Sequence, residues 1–181
     1  MIVKEVDENI VLKLLEIKDA KELFQLTDNS REHLREWLGW VDTTATVDDS
    51  RAFIEHTMRM FEAKKELTTG IFFKGILVGV AGFNRFDWSN KVATIGYWLS
   101  DSYQGHGIMT QVADALTDYA FHQLGLNRVE IRAAYENKKS RAIPKRLGFV
   151  EEGQIRQAEW LYDHFVDHVV YGMLANEWIK H

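Results

Sequence analysis

One stretch, Ile95-Gly-Tyr-Trp-Leu-Ser-Asp-Ser-Tyr-Gln-Gly-His-Gly-Ile-Met-Thr-Gln-Val-Ala113, constrains the fold more than any other. The run from Thr94 to Leu99 is aromatic and aliphatic, as a buried strand should be, and Gly105 and Gly107 then bracket His106 where the chain must reverse. Beyond the turn, Ile108, Val112, Leu116 and Tyr119 recur at spacings of four and three. This spacing predicts a helix with one apolar face turned inward. A strand that runs through glycines straight into a helix leaves the first helical N–H groups without backbone partners, and glycines let a ligand approach them. An anionic group is the natural occupant of such a turn.

The spacing narrows the choice of anion. No Gly-x-x-x-x-Gly-Lys-Ser/Thr run occurs, and no third glycine follows Gly107 at the position that a dinucleotide fingerprint demands. Gln104-Gly-His-Gly107, after the strand Ile95 to Leu99, instead resembles the Gln/Arg-x-x-Gly-x-Gly/Ala pyrophosphate loop of the acetyl-CoA-dependent N-acetyltransferases called the GNAT superfamily. Met109 stands where that loop ends in Gly or Ala. The Gly-Ile-Met-Thr variant is similar to one subgroup, the Rim-type ribosomal-protein N-terminal acetyltransferases.

A second segment carries the same resemblance. Tyr135-Glu-Asn137-Lys-Lys-Ser140, continued by Arg-Ala-Ile-Pro-Lys-Arg-Leu-Gly148-Phe149, resembles the family segment that opens a helix beside the cofactor and closes it with Leu-Gly-Phe. Local physics supports each part: Asn137 is an N-cap candidate, Ser140 lies one turn on with a free hydroxyl, and Gly148 suits a left-handed helix stop. Pro144, the only proline, falls inside this helix. It deprives the Ser140 carbonyl of its usual donor and crowds it, so a kink is expected at a cost of roughly 3 kcal/mol. Downstream, Gly153 to Asp167 looks like the acceptor side of the Rim-type enzymes.

The resemblance implies a set of roles. Acetyl-CoA would be the acyl donor, its pyrophosphate on the backbone of Gln104, Gly105, His106, Gly107, Ile108, Met109 and Thr110, its pantetheine beside Trp98 and Leu99, with Asn137 and Ser140 adjoining. Glu159 would be the catalytic base, its carboxyl raised toward neutrality by Ala158 and Trp160. Ser140 would support the departing thiolate, and Trp37, Trp40 and Tyr97 would shape the acceptor site. Trp37 and Trp40, around Gly39, read equally well as core. Asp163 and Asp167 would form an acidic rim that steers a basic acceptor. The acceptor would be a protein N-terminal α-amine. A small amine, such as a polyamine or an antibiotic, stays open, as does a non-catalytic acyl-CoA-binding module.

Along the chain, Asn9 to Leu15 reads as a strand, and helices follow from Asp19, from Ser30 to Gly39, and after Thr46, whose Thr46-Val-Asp-Asp49 has the form of a capping box. Phe53, Ile54, Thr57, Met58 and Phe61 mark the apolar face of that third helix. The period then turns strand-like: Thr69 to Phe73, Ile76 to Phe83, Val92 to Leu99. After the glycine-turn helix come a strand from Arg128 to Ala134, a helix from Asn137 to Leu147, and strands from Phe149 to Ile155 and Asp167 to Leu174. The expected fold is a GNAT fold of the α/β class: a mixed, mostly antiparallel sheet flanked by helices, splayed between Ile95–Leu99 and Val129–Ala133. With 181 residues, residues 1–181 suit a single domain.

Composition excludes several alternatives. Without cysteine there is no thiolate catalysis and no cysteine zinc site. A net charge of -5, with no basic cluster denser than Lys138-Lys139-Ser140-Arg141, speaks against a direct nucleic-acid partner. No run approaches the ~18 apolar residues of a membrane span, and the acidic N-terminus lacks the pattern of a signal peptide. A soluble, cytoplasmic protein is expected, with homo-oligomerisation left open. His164 and His168 have a His-x-x-x-His spacing, but on a strand residues four apart lie about 13 Å from each other, so they are not read as ligands to one metal.

Overall fold

The computed structural model describes residues 1–179. Eight strands form one sheet in the order β1-β2-β3-β4-β5-β6-β8-β7. β1 (Ile2–Glu5), β2 (Ile10–Leu14), β3 (Leu67–Phe73), β4 (Ile76–Asp87) and β5 (Val92–Leu99) run antiparallel in sequence. The crossover through α4 (Ile108–His122) then brings in β6 (Arg128–Ala134) parallel to β5. A parallel neighbour requires such a crossover, because a hairpin turn can only return the chain antiparallel. After α5 (Lys138–Arg146), β7 (Val150–Leu161) takes the edge and β8 (His164–Leu174) inserts between it and β6.

Apolar side chains divide between the two faces. On one, Val112, Leu116 and Ala120 of α4 pack with Phe83, Ile95 and Ile131 of the sheet, and Ile143 of α5 joins them. On the other, Ala20 and Leu23 of α1 (Ala20–Asn29) and Ile54 of α3 (Val47–Glu62) meet Phe72, Leu77 and Val80. The short α2 (Arg31–Arg35) lies between α1 and α3 in the chain. No helix among the described residues is long and apolar enough to cross a membrane.

Several local expectations are corrected. β1, absent from the sequence reading, is a half-exposed edge strand joined to β2 by a turn in which the Asp7 carboxylate accepts from the Asn9 and Ile10 N–H groups. Neither feature leaves a strong periodic mark. Asp19 makes no side-chain cap for α1; its carboxylate accepts from the Glu16 N–H instead. α2 stops at Arg35 and leaves Trp37 and Leu38 outside any helix. On α3, Phe53 and Met58 are exposed, and the buried stripe is Ser50, Ile54 and Thr57. Two of these three inward positions are small and polar, and the Thr57 hydroxyl donates to the Ile54 carbonyl. β7 continues six residues past Ile155, so that Glu159 sits on a strand.

The capping box at Thr46 is present. Thr46 Oγ1 accepts from the Asp49 N–H at 3.3 Å, and Asp49 Oδ2 accepts from the N–H groups of Ala45 and Thr46 at 2.9 Å each. Thr46→Ala should therefore lower the unfolding free energy by about 1 kcal/mol, read as a lower midpoint in urea with an unchanged slope.

Candidate acetyl-transfer site

β5 and β6 pair over only four rungs, from Val92–Arg128 to Ile95–Ile131. Beyond Ile95 the strands part, while β5 stays paired to β4 through Leu99. The residues past the split, Tyr97 and Trp98 on one side and Ala133 and Ala134 on the other, line a cavity of about 1060 Å³. Trp37, Trp40, Asn137, Ser140, Glu159 and His168 line the same cavity. Seven of the residues singled out in the sequence thus share one space, although they come from four separate stretches of chain.

One wall of the cavity is built by β7 and by the segment after α2. Trp40 packs its ring on that of Trp98 with centroids 5.9 Å apart. Neither Trp37 nor Trp40 belongs to the buried core. Tyr162, at the β7–β8 turn, fastens this wall: its hydroxyl donates to the Leu38 carbonyl and accepts from the Val41 N–H. The Arg35 guanidinium lies 3.8 Å from the Tyr162 ring centroid and pairs with Asp42. These bonds hold the Trp37–Trp40 segment against the strand that carries Glu159.

Glu159 Oε1 lies 3.0 Å from His168 Nε2, a half-buried contact across the β7–β8 hairpin. Simple alternation does not bring these two residues together. The ladder slips between Ile155 and Glu159, and at the slip Gln157 takes a positive φ of 47°. Asp167 pins the bulge: its carboxylate accepts from the Gln157 N–H and from the Gln154 side-chain amide, each at 2.7 Å. Ala158 lines the cavity beside Glu159, whereas Trp160, expected with it to enclose the Glu159 carboxyl, does not. Trp160 is 54 % exposed and packs on Phe165 instead. The enclosure expected from chain neighbours is replaced by a polar contact with His168.

The expected acidic rim is also redrawn. Asp167 is occupied by the bulge, Asp163 pairs with His164 at the exposed turn, and neither lines the cavity. The lining carboxylates are Asp49, Glu66 and Glu159, and Asp49 is engaged in the helix cap. His164 and His168 both lie on β8, as the strand reading required.

Tyr97 and Ser140 face each other across the split. The Tyr97 hydroxyl donates to the Ser140 carbonyl at 3.1 Å, and Ser140 Oγ donates to Tyr97 Oη at 3.4 Å. Burial pushes the Tyr97 hydroxyl up to about 12, so that it stays protonated near neutral pH. Asn137 caps α5 by accepting from the Ser140 N–H at 3.2 Å. The loop from Gln104 to Thr110 lies outside the cavity. Gly105 and Gly107 take φ of 80° and 75°, with open space where a side chain would stand, and no side chain caps α4 at Gly107. Ile108 and Met109 are buried, so only their backbone N–H groups are offered to a ligand. The methionine that replaces a small residue in the loop therefore points into the core. Gln104 is held to His33 of α2 at 2.8 Å, and Arg146 of α5 donates to Thr110 Oγ1 at 3.2 Å. Arg146, beside Thr110, and His168, beside Glu159, are among the residues that sequence reasoning had not assigned a role. Only α5 packing and the β7 bulge bring them in.

Residues 9–150 match the Acetyltransferase (GNAT) domain family. The chain belongs to the GNAT acetyltransferases. It is 37% identical over 174 residues to "Putative ribosomal N-acetyltransferase YdaF" of Bacillus subtilis (strain 168), covering 96% of this chain and 95% of that protein. Among solved structures, RimL, a ribosomal L7/L12 alpha-N-protein acetyltransferase in complex with coenzyme A, superposes with a TM-score of 0.92 at 28% identity, over 96% of this chain and 98% of RimL. The Microcin C7 self-immunity acetyltransferase MccE, in complex with acetyl-CoA and AMP, gives 0.89 at 32% identity over 93% and 94%. This GNAT chain is accordingly an N-acetyltransferase that uses acetyl-CoA as acyl donor.

The two hydrogen bonds from Gln157 and Gln154 hold the Asp167 carboxyl below its ordinary value of 3.8. A carboxyl lowered in the folded state favours the bulge when ionised. That contribution is complete above the ordinary value and lost as pH falls through the lower, folded one. In an NMR titration the Gln157 amide resonance should move with a midpoint below 3.8, and Asp167→Asn should abolish the movement. A midpoint at or above the ordinary value would mean that the bulge is not held by this carboxylate.

Proposed function

We propose that this GNAT enzyme acetylates the N-terminal α-amine of a protein, a ribosomal protein in the first instance, by direct attack of the amine on the thioester. The observation that carries the reading is the convergence of the Glu159–His168 pair, the Tyr97–Ser140 pair and the β5–β6 split on one cavity. Its kinship with YdaF and RimL supports the class of acceptor. The same kinship supports action in the cytoplasm.

In this reading the exposed Gly105–Gly107 turn and the N-terminus of α4 seat the pyrophosphate of the acyl donor, with Arg146 close by. The unpaired edge of β5 at Trp98 and Leu99 offers backbone groups to the pantetheine amides, and Asn137 adjoins them. Glu159, oriented by His168, accepts a proton from the attacking amine, directly or through water. Ser140 Oγ supports the thiolate as it leaves. Trp37, Trp40 and Tyr97 wall the acceptor channel.

Proton chemistry favours an α-amine over lysine. Only the neutral amine attacks, and near pH 7.4 about a quarter of α-amines but about 0.1% of lysines are neutral, a difference of about 3 kcal/mol before any contact is made. A carboxylate base suffices for the first and is hard pressed for the second.

Two measurements test this. After incubation with acetyl-CoA, mass spectrometry of peptides bearing both a free N-terminus and an internal lysine should place acetyl groups mainly on the α-amine. Acetylation mainly of lysine, or only of an added polyamine, would move the acceptor to those classes, and no release of free thiol with any amine would leave an acyl-CoA-binding module. Separately, Glu159→Gln should bind acetyl-CoA as the parent does in calorimetry but turn over ~10²-fold more slowly. Undiminished turnover would return Glu159 to the surface residues.

A further inference from the structure

Pro144 lies inside α5 with its ring buried. In a regular helix the N–H of residue 144 would bond to the carbonyl of Ser140. Proline has no N–H, and its ring crowds that carbonyl and turns it away from the helix axis. The residues on either side follow the ordinary ladder: the Arg141 N–H bonds to the Asn137 carbonyl at 3.0 Å, and the Leu147 N–H to the Ile143 carbonyl at 3.2 Å. The Ser140 carbonyl is diverted from it. A partly buried carbonyl freed from its helix still favours a donor, and one comes from another element: the Tyr97 hydroxyl, 3.1 Å away, reaching from β5 across the split.

We propose that Pro144 is a positioning residue of the acetyl-transfer site. By withholding the N–H that would claim the Ser140 carbonyl, it makes that carbonyl the dock for the Tyr97 hydroxyl. With its proton committed to the carbonyl, Tyr97 Oη presents a lone pair to Ser140 Oγ–H, and the two bonds hold both hydroxyls on the cavity wall until Ser140 turns its one proton from Tyr97 to the departing thiolate. The acyl donor would meet a wall whose two polar groups already stand in place, so less ordering is left for the transition state. A helix with an ordinary residue at 144 would be more stable in itself and would hold Tyr97 less firmly. The inference rests on the cleft being the seat of the acyl donor.

That opposition of signs is the test. Pro144→Ala restores the helical N–H and should raise the melting temperature while lowering kcat by ~5- to 10-fold, the worth of about one hydrogen bond. KM for acetyl-CoA should stay within about twofold, because the loop and the β5 edge that bind the donor are untouched. Tyr97→Phe should lower kcat by a similar factor, and the double variant should be no slower than Tyr97→Phe alone, since both changes break one bond. Parental kcat in Pro144→Ala, or losses that multiply in the double variant, would overturn the proposal. Should Pro144→Ala not fold, Tyr97→Phe still decides, because undiminished kcat in that variant overturns it too. A parent enzyme that releases no thiol from acetyl-CoA with any amine would instead count against the proposed reaction, a result separable from all of these.

Discussion

Four rungs of parallel pairing between β5 and β6 are the constraint from which the site follows. Parallel strands must be joined by a crossover, and α4 supplies it, so its N-terminus sits just past the end of β5, where pairing has stopped. Had the ladder continued to Leu99, the backbone of β5 would be satisfied on both sides and no donor could lie along it. Pairing with β4 on the far side keeps the unpaired stretch rigid. The split thus provides both an opening and a free backbone edge, and the polar groups at Tyr97 and Ser140 face each other across it.

The second wall depends on a defect in regular structure. Without the slip between Ile155 and Glu159, the register set at Ile155–His168 would carry on down the hairpin and place Glu159 differently relative to His168. Asp167 holds the extra residue in place, and Tyr162 ties the end of the hairpin to Leu38 and Val41. The Trp37–Trp40 segment and the strand bearing Glu159 are therefore one mechanical unit. Long exposed edge strands invite pairing with other chains, and the bulge interrupts that edge as well.

Local stability is given up at α5. Asn137 caps the helix well, yet Pro144 removes one of its few hydrogen bonds and transfers the freed carbonyl to a side chain of the sheet. A helix of nine residues has little cooperativity to spare, so its place is set by packing of Ile143 and Pro144 and by the bond to Tyr97 more than by its own propensity.

The sequence by itself determined whatever depends on neighbours along the chain. The strand-turn-helix at Ile95 to Ala113, the Thr46 capping box and the Asn137 cap rest on spacings of three or four residues, and each is present. The family pattern over Gln104–Gly107 and Asn137–Phe149 carried the fold and the acetyl-CoA dependence with it. Tertiary structure decided the rest. Enclosure of Glu159 could not be read from Ala158 and Trp160, because Trp160 packs on Phe165 and the polar partner of Glu159, His168, comes from another strand. The inward face of α3 could not be read from hydrophobicity, because the side that meets the sheet is set by how the elements pack, and it carries Ser50 and Thr57 while Phe53 and Met58 are exposed. Pro144 showed in the sequence as a missing hydrogen bond, and only the fold named Tyr97 as its replacement. A spacing records which groups one helix or strand leaves unsatisfied, whereas the partner that satisfies them is fixed by how the elements pack.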